Sequence, residues 1–291
     1  MPNPILRQKL DSGEFFSAPG IQDMITAVVA KQVGFDIVYA SGFWLTASAY
    51  GLPDAGIATY TQMLDRVATL VRTMDGSAVI ADADTGYGGL LNVHHTVRGY
   101  EEAGVSAIQI EDQEFPKKCG HTPFKRVIST ADMVEKIKVA CEARRHPEQT
   151  LIIARTDALA SEGFERAVRR CEAYGEAGAD IVFLEAPGSE DQMRIACKRV
   201  RKPMIANMSD GGLTPMLSAR TLADIGYRCA IFPAATSLAA AEASRRVLES
   251  LRDHGTTQAA DVPLYRFKDF CSQIGFEEVW AFEKRWGPKD D

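Results

Sequence analysis

The stretch Ile108-Gln-Ile-Glu-Asp-Gln113, followed by Lys117-Lys-Cys-Gly-His121, gathers residue types that can do chemistry. An apolar run ends in two carboxylates, Glu111 and Asp112, which suit a hard cation such as Mg²⁺. Cys119 then stands among Lys117, Lys118 and His121, and cations beside a thiol stabilise its thiolate. Such a group serves proton transfer or nucleophilic attack. One cysteine near one histidine is equally compatible with an ordinary surface loop, so the rest of the chain must decide.

Other apolar runs also end in polar residues. Tyr39 precedes Ser41-Gly42-Phe43-Trp44, and Asp54 follows in the next loop. Asp82 and Asp84 are two apart, so on an extended chain they share a face. With Asp54 and Glu111 they form a cluster of carboxylates whose mutual repulsion is costly without a cation. Oxygen ligands and retained water favour Mg²⁺ or Mn²⁺ over zinc; the alternative is that these acids cap helices and face water. Arg155 ends another apolar run, where a guanidinium can clamp a carboxylate or phosphate in bidentate fashion. Glu185 and Asn207 end two more, and Asn207, Ser209 and Thr214 offer neutral hydrogen-bond partners to the same anion. His94 and His95 are read as structural.

These residues need a scaffold, and the hydrophobic pattern supplies one. Short apolar runs at 15–18, 36–40, 78–81, 107–110, 151–154, 181–184, 203–206 and 229–232 alternate with amphipathic stretches near 21–33, 60–74, 92–103, 130–144, 163–177, 189–200, 218–225 and 237–253. Continuously apolar strands are buried on both faces, as in a parallel sheet. Eight such units in 291 residues predict an α/β fold of the (β/α)₈ TIM-barrel type. The rival, an open doubly wound sheet, lacks a GxGxxG after the first strand. Gly34, Gly104, Gly178 and Gly226 fit the position just past a helix C-terminus. The expected organisation is a catalytic barrel over 1–255 and a helical extension over 256–291. The aromatic residues of that extension, Phe267, Phe270, Phe276, Trp280, Phe282 and Trp286, need burial under the barrel or on another subunit.

Bulk properties narrow the function. A net charge of −6 without a dense basic run argues against a nucleic-acid partner. No apolar run approaches the ~18 residues that span a bilayer, and Met1-Pro-Asn-Pro lacks the apolar core of a signal peptide. The six cysteines form no CxxC pair, which is reduced, cytoplasmic usage.

Asp82-Ala-Asp-Thr-Gly-Tyr-Gly88, Glu111-Asp-Gln113, Lys117-Lys-Cys-Gly-His121, Ala154-Arg-Thr-Asp-Ala158 and Ala206-Asn-Met208 together resemble the isocitrate lyase/phosphoenolpyruvate mutase superfamily. The resemblance runs in order along nearly the whole chain, and the cysteine loop is similar to the lyase branch. It implies a (β/α)₈ barrel, Mg²⁺, a small carboxylate substrate and a homotetramer exchanging its C-terminal helix between subunits. It further implies that Asp54, Asp82, Asp84 and Glu111 hold the metal directly or through water. Tyr39, Ser41, Gly42, Phe43, Gly120, His121, Arg155, Glu185, Asn207 and Thr214 would bind substrate, and Cys119 would be the acid/base. Either Tyr39 or Glu185 could take the hydroxyl proton.

The expected reaction is cleavage of a 2-hydroxy di- or tricarboxylate into an α-keto acid such as pyruvate and a second carboxylate. Leu238, and Phe267 beside Arg266, stand where tricarboxylate lyases of the family carry arginines. That disfavours a third carboxylate, and Phe43-Trp44 points to a tighter or more apolar pocket. A 2,3-dimethylmalate-like dicarboxylate is therefore as good a candidate as 2-methylisocitrate. The rivals are a carboxyvinyl-carboxyphosphonate phosphorylmutase-like enzyme and an oxaloacetate hydrolase or decarboxylase. Thr214, where serine is expected for the hydrolase, weighs against the last.

Overall fold

A computed structural model of the chain describes residues 2–122 and 124–287. Its eight strands are β1 (Phe16–Ile21), β2 (Ile37–Ala40), β3 (Ala78–Asp82), β4 (Ala107–Glu111), β5 (Leu151–Thr156), β6 (Ile181–Leu184), β7 (Ile205–Asn207) and β8 (Cys229–Phe232). Consecutive strands pair in parallel from β1 to β6 and from β7 to β8, and β1 pairs with β8. A parallel bridge from Val182 to Met204 joins β6 to the segment entering β7 and nearly closes the ring. The eight runs read from the sequence are all strands, displaced by up to three residues at their ends.

Between them lie α2 (Met24–Val33), α4 (Tyr60–Thr73), α5 (Leu90–Glu102), α6 (Thr130–Ala143), α8 (Phe164–Glu176), α9 (Glu190–Arg199) and α10 (Ala219–Ile225), with α11 (Ala235–His254) after β8. Local chemistry sets their ends. Asp23, Ser129, Ser189 and Ser218 each accept a hydrogen bond from a first-turn backbone N–H. Thr59 and Gln62 form a reciprocal capping box at α4. Gly34, Gly104, Gly178 and Gly226 all take left-handed φ, between 94° and 116°, where the chain turns from helix into the next strand.

Three helices escaped the periodicity argument: α1 (Ile5–Ser12), α3 (Gly42–Tyr50) and the single turn α7 (Leu159–Glu162). α3 is apolar along most of its length, so it shows no amphipathic stripe to read.

Period-2 alternation divides the strand residues between two cores. Ile37, Ala78, Ile80, Ala107, Leu151, Ile153, Ile181, Phe183, Cys229 and Ile231 pack together inside the barrel, with Leu6 and Leu10 of α1. Val38, Val79, Ile108, Ile152 and Val182 pack outward against the helices. This double burial is why each strand reads as continuously apolar.

By internal contacts the chain forms two compact units, Met1–Ser237 and Leu238–Asp291, divided inside α11. The second also holds α12 (Phe267–Gln273) and α13 (Phe276–Trp286). Phe276, Val279, Trp280, Phe282 and Trp286 of α13 are all exposed. No described helix is long and apolar enough to cross a membrane.

Candidate functional site

Followed two residues at a time, the inward face of the strands changes character at their C-terminal ends. Ala78 and Ile80 lead to Asp82, Ala107 and Gln109 to Glu111, Leu151 and Ile153 to Arg155, Ile181 and Phe183 to Glu185, and Ile205 to Asn207. All five terminal residues are buried. In a barrel this end carries chemistry, because the βα loops converge there.

Arg155 is the hub of one half. Its Nε and Nη2 donate to the two Asp157 oxygens at 2.8 and 3.0 Å. Nη2 also lies 3.1 Å from Glu185 Oε2, and Nε 3.5 Å from Glu111 Oε2. Burial alone would raise the Asp157 pKa, but Arg155 and Lys125 outweigh it and hold the carboxyl at about 2. Asn207 Nδ2 donates to both Glu185 oxygens at 3.2 Å and lies 3.3 Å from His121 Nε2.

The acids form the other half, and they come together differently from the sequence expectation. Asp84 lies past the end of β3 with φ 49°, so it does not share a face with Asp82 by strand alternation. The chain instead folds back, and the Asp84 N–H donates to Asp82 Oδ1 at 3.0 Å. Both carboxylates reach the N-terminus of α3: a Cβ added at Gly42 would sit 2.8 Å from Asp82 Oδ2 and 3.3 Å from Asp84 Oδ1. The Gly42 N–H donates to Asp82 at 3.3 Å, a favourable use of a helix N-terminus.

Lys117, read from sequence as a neighbour of the thiol, lies among the acids. Its ammonium bonds Asp54 Oδ1 and lies 2.7 Å from Asp84 Oδ1. Burial and the charges of Asp82 and Asp54 still lift Asp84 to about 6, against the pull of Lys117. Burial also lifts Glu111 well above the usual carboxylate range, with Arg155 opposing.

The four acids are thus shared among Lys117, Arg155, Gln109 and backbone amides. Among the described residues no three Asp, Glu, His or Cys are arranged as a metal-ligand group. The donor set nevertheless fits a hard cation that keeps most of its water. Asp82 and Asp84 are adjacent, and Glu111 Oε1 is buried without any hydrogen-bond partner.

The expectation of a stabilised Cys119 thiolate is overturned. Lys117 is committed to Asp54 and Asp84, and the Lys118 ammonium lies 5.9 Å from the centre of the Phe124 ring. His121 turns to Glu185, Asn207 and the Leu213 N–H. Burial dominates at Cys119 and raises its pKa, only partly opposed by a backbone hydrogen bond from His121. The group is a thiol, suited to giving a proton rather than to attacking as a nucleophile. Next to it, a Cβ on Gly120 would come 2.2 Å from Arg155 Nη2 and 2.8 Å from Glu185 Cγ, so only glycine fits against this pair. Gln113 anchors the loop by exchanging hydrogen bonds with the Lys118 backbone, at 2.7 Å to its O and 2.9 Å from its N.

Tyr39 is buried in the barrel and its hydroxyl donates to Gln109 Oε1 at 3.2 Å. Burial first, and the charge of Asp82 second, raise its pKa well above that of a free phenol. Ser41 is buried, whereas Phe43 and Trp44 pair edge-on at 4.7 Å and are half-buried. Thr214, on the loop after β7, is buried with its hydroxyl unpartnered, as is Asn207 Oδ1. His94 and His95 are exposed on α5, and the His95 ring lies 4.9 Å from that of Tyr60.

Sequence reasoning missed Gln109, although it sits two residues before Glu111 and so on the same inward face. Asp112, paired with Glu111 in the sequence reading, faces the other way. It accepts hydrogen bonds from Thr156 Oγ1, the Asp157 N–H, Arg170 and Tyr174 at 2.7–3.2 Å, and so braces the end of β5.

Comparison with known proteins agrees with this architecture. The phosphoenolpyruvate phosphomutase family profile matches residues 6–252. The chain is 40% identical over 281 residues to the 2,3-dimethylmalate lyase of Eubacterium barkeri, covering 97% of this chain and 96% of that one. It is 41% identical over 284 residues to the 2-methylisocitrate lyase of Aeropyrum pernix, covering 98% and 90%. A crystal structure of 2,3-dimethylmalate lyase superposes with a TM-score of 0.91 at 34% identity, over 99% of this chain and 96% of that one. The chain belongs to the isocitrate lyase/phosphoenolpyruvate mutase superfamily, among relatives that are carbon–carbon lyases.

Proposed function

We propose that the protein is a Mg²⁺-dependent carbon–carbon lyase that cleaves a 2-hydroxy dicarboxylate of the 2,3-dialkylmalate kind. The products are an α-keto acid such as pyruvate and a second carboxylate. The observation that carries this reading is the placement of the Cys119 loop, whose Gly120 rests against the buried Arg155–Glu185 pair. Further support comes from the buried, unpartnered oxygens of Glu111, Asn207 and Thr214, since native interiors leave few polar atoms unsatisfied without a ligand to meet them.

Asp82, Asp84 and Glu111 would hold the cation, with Asp54 acting through water. When bound, it supplies positive charge that lowers the cost of ionising the 2-hydroxyl. Arg155, Asn207 and Thr214 bind and orient the carboxylates. Tyr39 keeps its proton, and when substrate binds, Tyr39 and the Gly42 backbone turn their donors to it from Gln109 and Asp82, with Ser41 beside them. Glu185 takes the hydroxyl proton. The C2–C3 pair of electrons then passes to C3 and into its carboxylate, and C2 becomes a keto carbon. Cys119 delivers its proton to C3, and the released carboxylate departs. Gly120 and His121 cover the reacting atoms and exclude water, which would otherwise compete as the proton source.

The decisive experiment measures pyruvate release from 2,3-dimethylmalate and 2-methylisocitrate, with and without Mg²⁺. Metal-dependent release, faster from the dicarboxylate, is expected. Turnover of phosphonates with no keto acid from any hydroxy acid overturns the reading. The exposed aromatic face of α13 further supports a homotetramer with exchanged C-terminal helices. Light scattering of the full chain and of a chain ending at 265 tests this: the truncation should lower the assembly state.

A further inference from the structure

The loop that carries Cys119 has little core of its own. Phe115 and Phe124 are both exposed, so burial of apolar area holds it weakly. Polar ties hold it instead. At its stem the Glu114 N–H donates to Arg126 O and the Ile128 N–H to Asp112 O, both at 2.9 Å, and Gln113 bridges Val127. Further along, Lys125 bonds Gly120 O and lies 2.9 Å from Asp157 Oδ1.

Both sets of ties lead to Asp112, and behind Asp112 stands Arg170 of α8. Arg170 Nη1 donates to Ile128 O at 2.9 Å and lies 3.2 Å from Asp112 Oδ2. Its Nε and Nη2 donate to the two Glu162 oxygens at 2.8 and 2.6 Å. One guanidinium thus joins the stem of the loop, the end of β4 and the turn α7 that follows β5. Tyr174, one helical turn beyond Arg170, donates to the same Asp112 oxygen at 2.7 Å, and the other oxygen receives the Asp157 N–H at 2.9 Å. The Asp157 carboxylate in turn holds Arg155 and Lys125.

Arg170 and Asp112 are 5% and 0% exposed. A buried ion pair stabilises a fold no better than a well-packed apolar pair, so stability alone is a poor account of this cluster. Its connections are a better one. Resting on the lyase reading for the role of Cys119, we infer that Arg170 is a positioning residue: from behind the barrel wall it locks the stem of the Cys119 loop onto the end of β5, and so sets where the Cys119–Gly120 turn rests against Arg155 and Glu185. Arg144 offers a matched comparison at the other end of the barrel. Its Nη1 likewise joins a carboxylate and a backbone carbonyl, Asp180 Oδ2 at 2.7 Å and Thr150 O at 3.0 Å, but where β5 and β6 begin.

The test is the rate at which iodoacetamide alkylates Cys119 in the full-length protein, followed by mass spectrometry with Cys141, in the last turn of α6, as internal reference. Arg170→Met should raise the Cys119 rate about tenfold or more, the increase in loop opening expected from losing a hydrogen bond to a charged group. Tyr174→Phe, which removes one hydroxyl, should raise it about threefold. Cys141 should keep its rate in both, and Arg144→Met should leave Cys119 at the wild-type rate. An unchanged Cys119 rate in folded Arg170→Met, an equal rise at Cys119 and Cys141, or an equal effect of Arg144→Met overturns the inference. If Arg170→Met does not fold, Tyr174→Phe decides by the same criteria. Pyruvate release is read on the same preparations and should fall in Arg170→Met and not in Arg144→Met. Absence of turnover in the unaltered protein would count against the lyase reading alone, since alkylation needs no substrate.

Discussion

The two ends of the barrel interior share strands and an inward face, yet are built from opposite materials. At the N-terminal end Ala78, Ala107, Leu151, Ile181 and Cys229 meet Leu6 and Leu10 and exclude polar atoms. Four residues further along the same faces stand Asp82, Glu111, Arg155 and Glu185, buried and charged. The lower layer stabilises by area removed from water, which needs no particular partner. The upper layer is costly to bury and persists because its charges meet opposite charges or hydrogen-bond donors within the site. One end holds the fold, and the other holds polar groups ready for a ligand.

The comparison breaks most visibly at Cys119. Cys119→Ala should lower kcat by about 10²–10⁴-fold, the range for losing a general acid, while changing stability by less than about 0.5 kcal/mol. Steady-state kinetics and urea melts on the same preparation check both halves. An unchanged kcat would remove the thiol from the chemistry.

Leu151→Ala is the reciprocal change. It should cost about 2–5 kcal/mol through lost burial and the cavity left behind, with the folded fraction still turning over. A large kcat loss without destabilisation would show that the two layers are not separable.

Asp157 gives the upper layer a pH signature. Its folded pKa, about 2, lies below the unfolded value near 4. The stability it confers is therefore complete above the unfolded pKa and is lost as pH falls through about 2. The contribution is on the order of 2 kcal/mol. Thermal melts between pH 5 and 2 should show this slope, and Asp157→Asn should flatten it.

The smallest effect belongs to Thr214→Val. Removing a buried hydroxyl without a partner should leave stability unchanged or raise it by under ~1 kcal/mol. KM should rise, because the ligand loses a hydrogen bond. A clear loss of stability would mean that the hydroxyl has a partner in the protein.

Much of the fold was legible because strand and helix periods are local. The apolar runs at 78–81 and 151–154 announced strands buried on both faces, and Gly34, Gly104, Gly178 and Gly226 marked the turns between helix and strand. α3 was not legible, since an apolar helix carries no stripe. At the site, polar residues at strand ends were readable one strand at a time. The role of Lys117 was not, because nothing near it in sequence shows that Asp54 and Asp84 will lie at its ammonium.

By itself the sequence determined the strand count, the alternation and the types of group offered at each strand end. Those depend on backbone period and on which side chains tolerate burial. Only the tertiary structure decided which charge neutralises which, that Asp112 braces β5 while Glu111 faces the interior, and that Cys119 is a half-buried thiol rather than a stabilised thiolate. Pairing and desolvation depend on distances between residues far apart in the chain, and closure of the barrel fixes those distances.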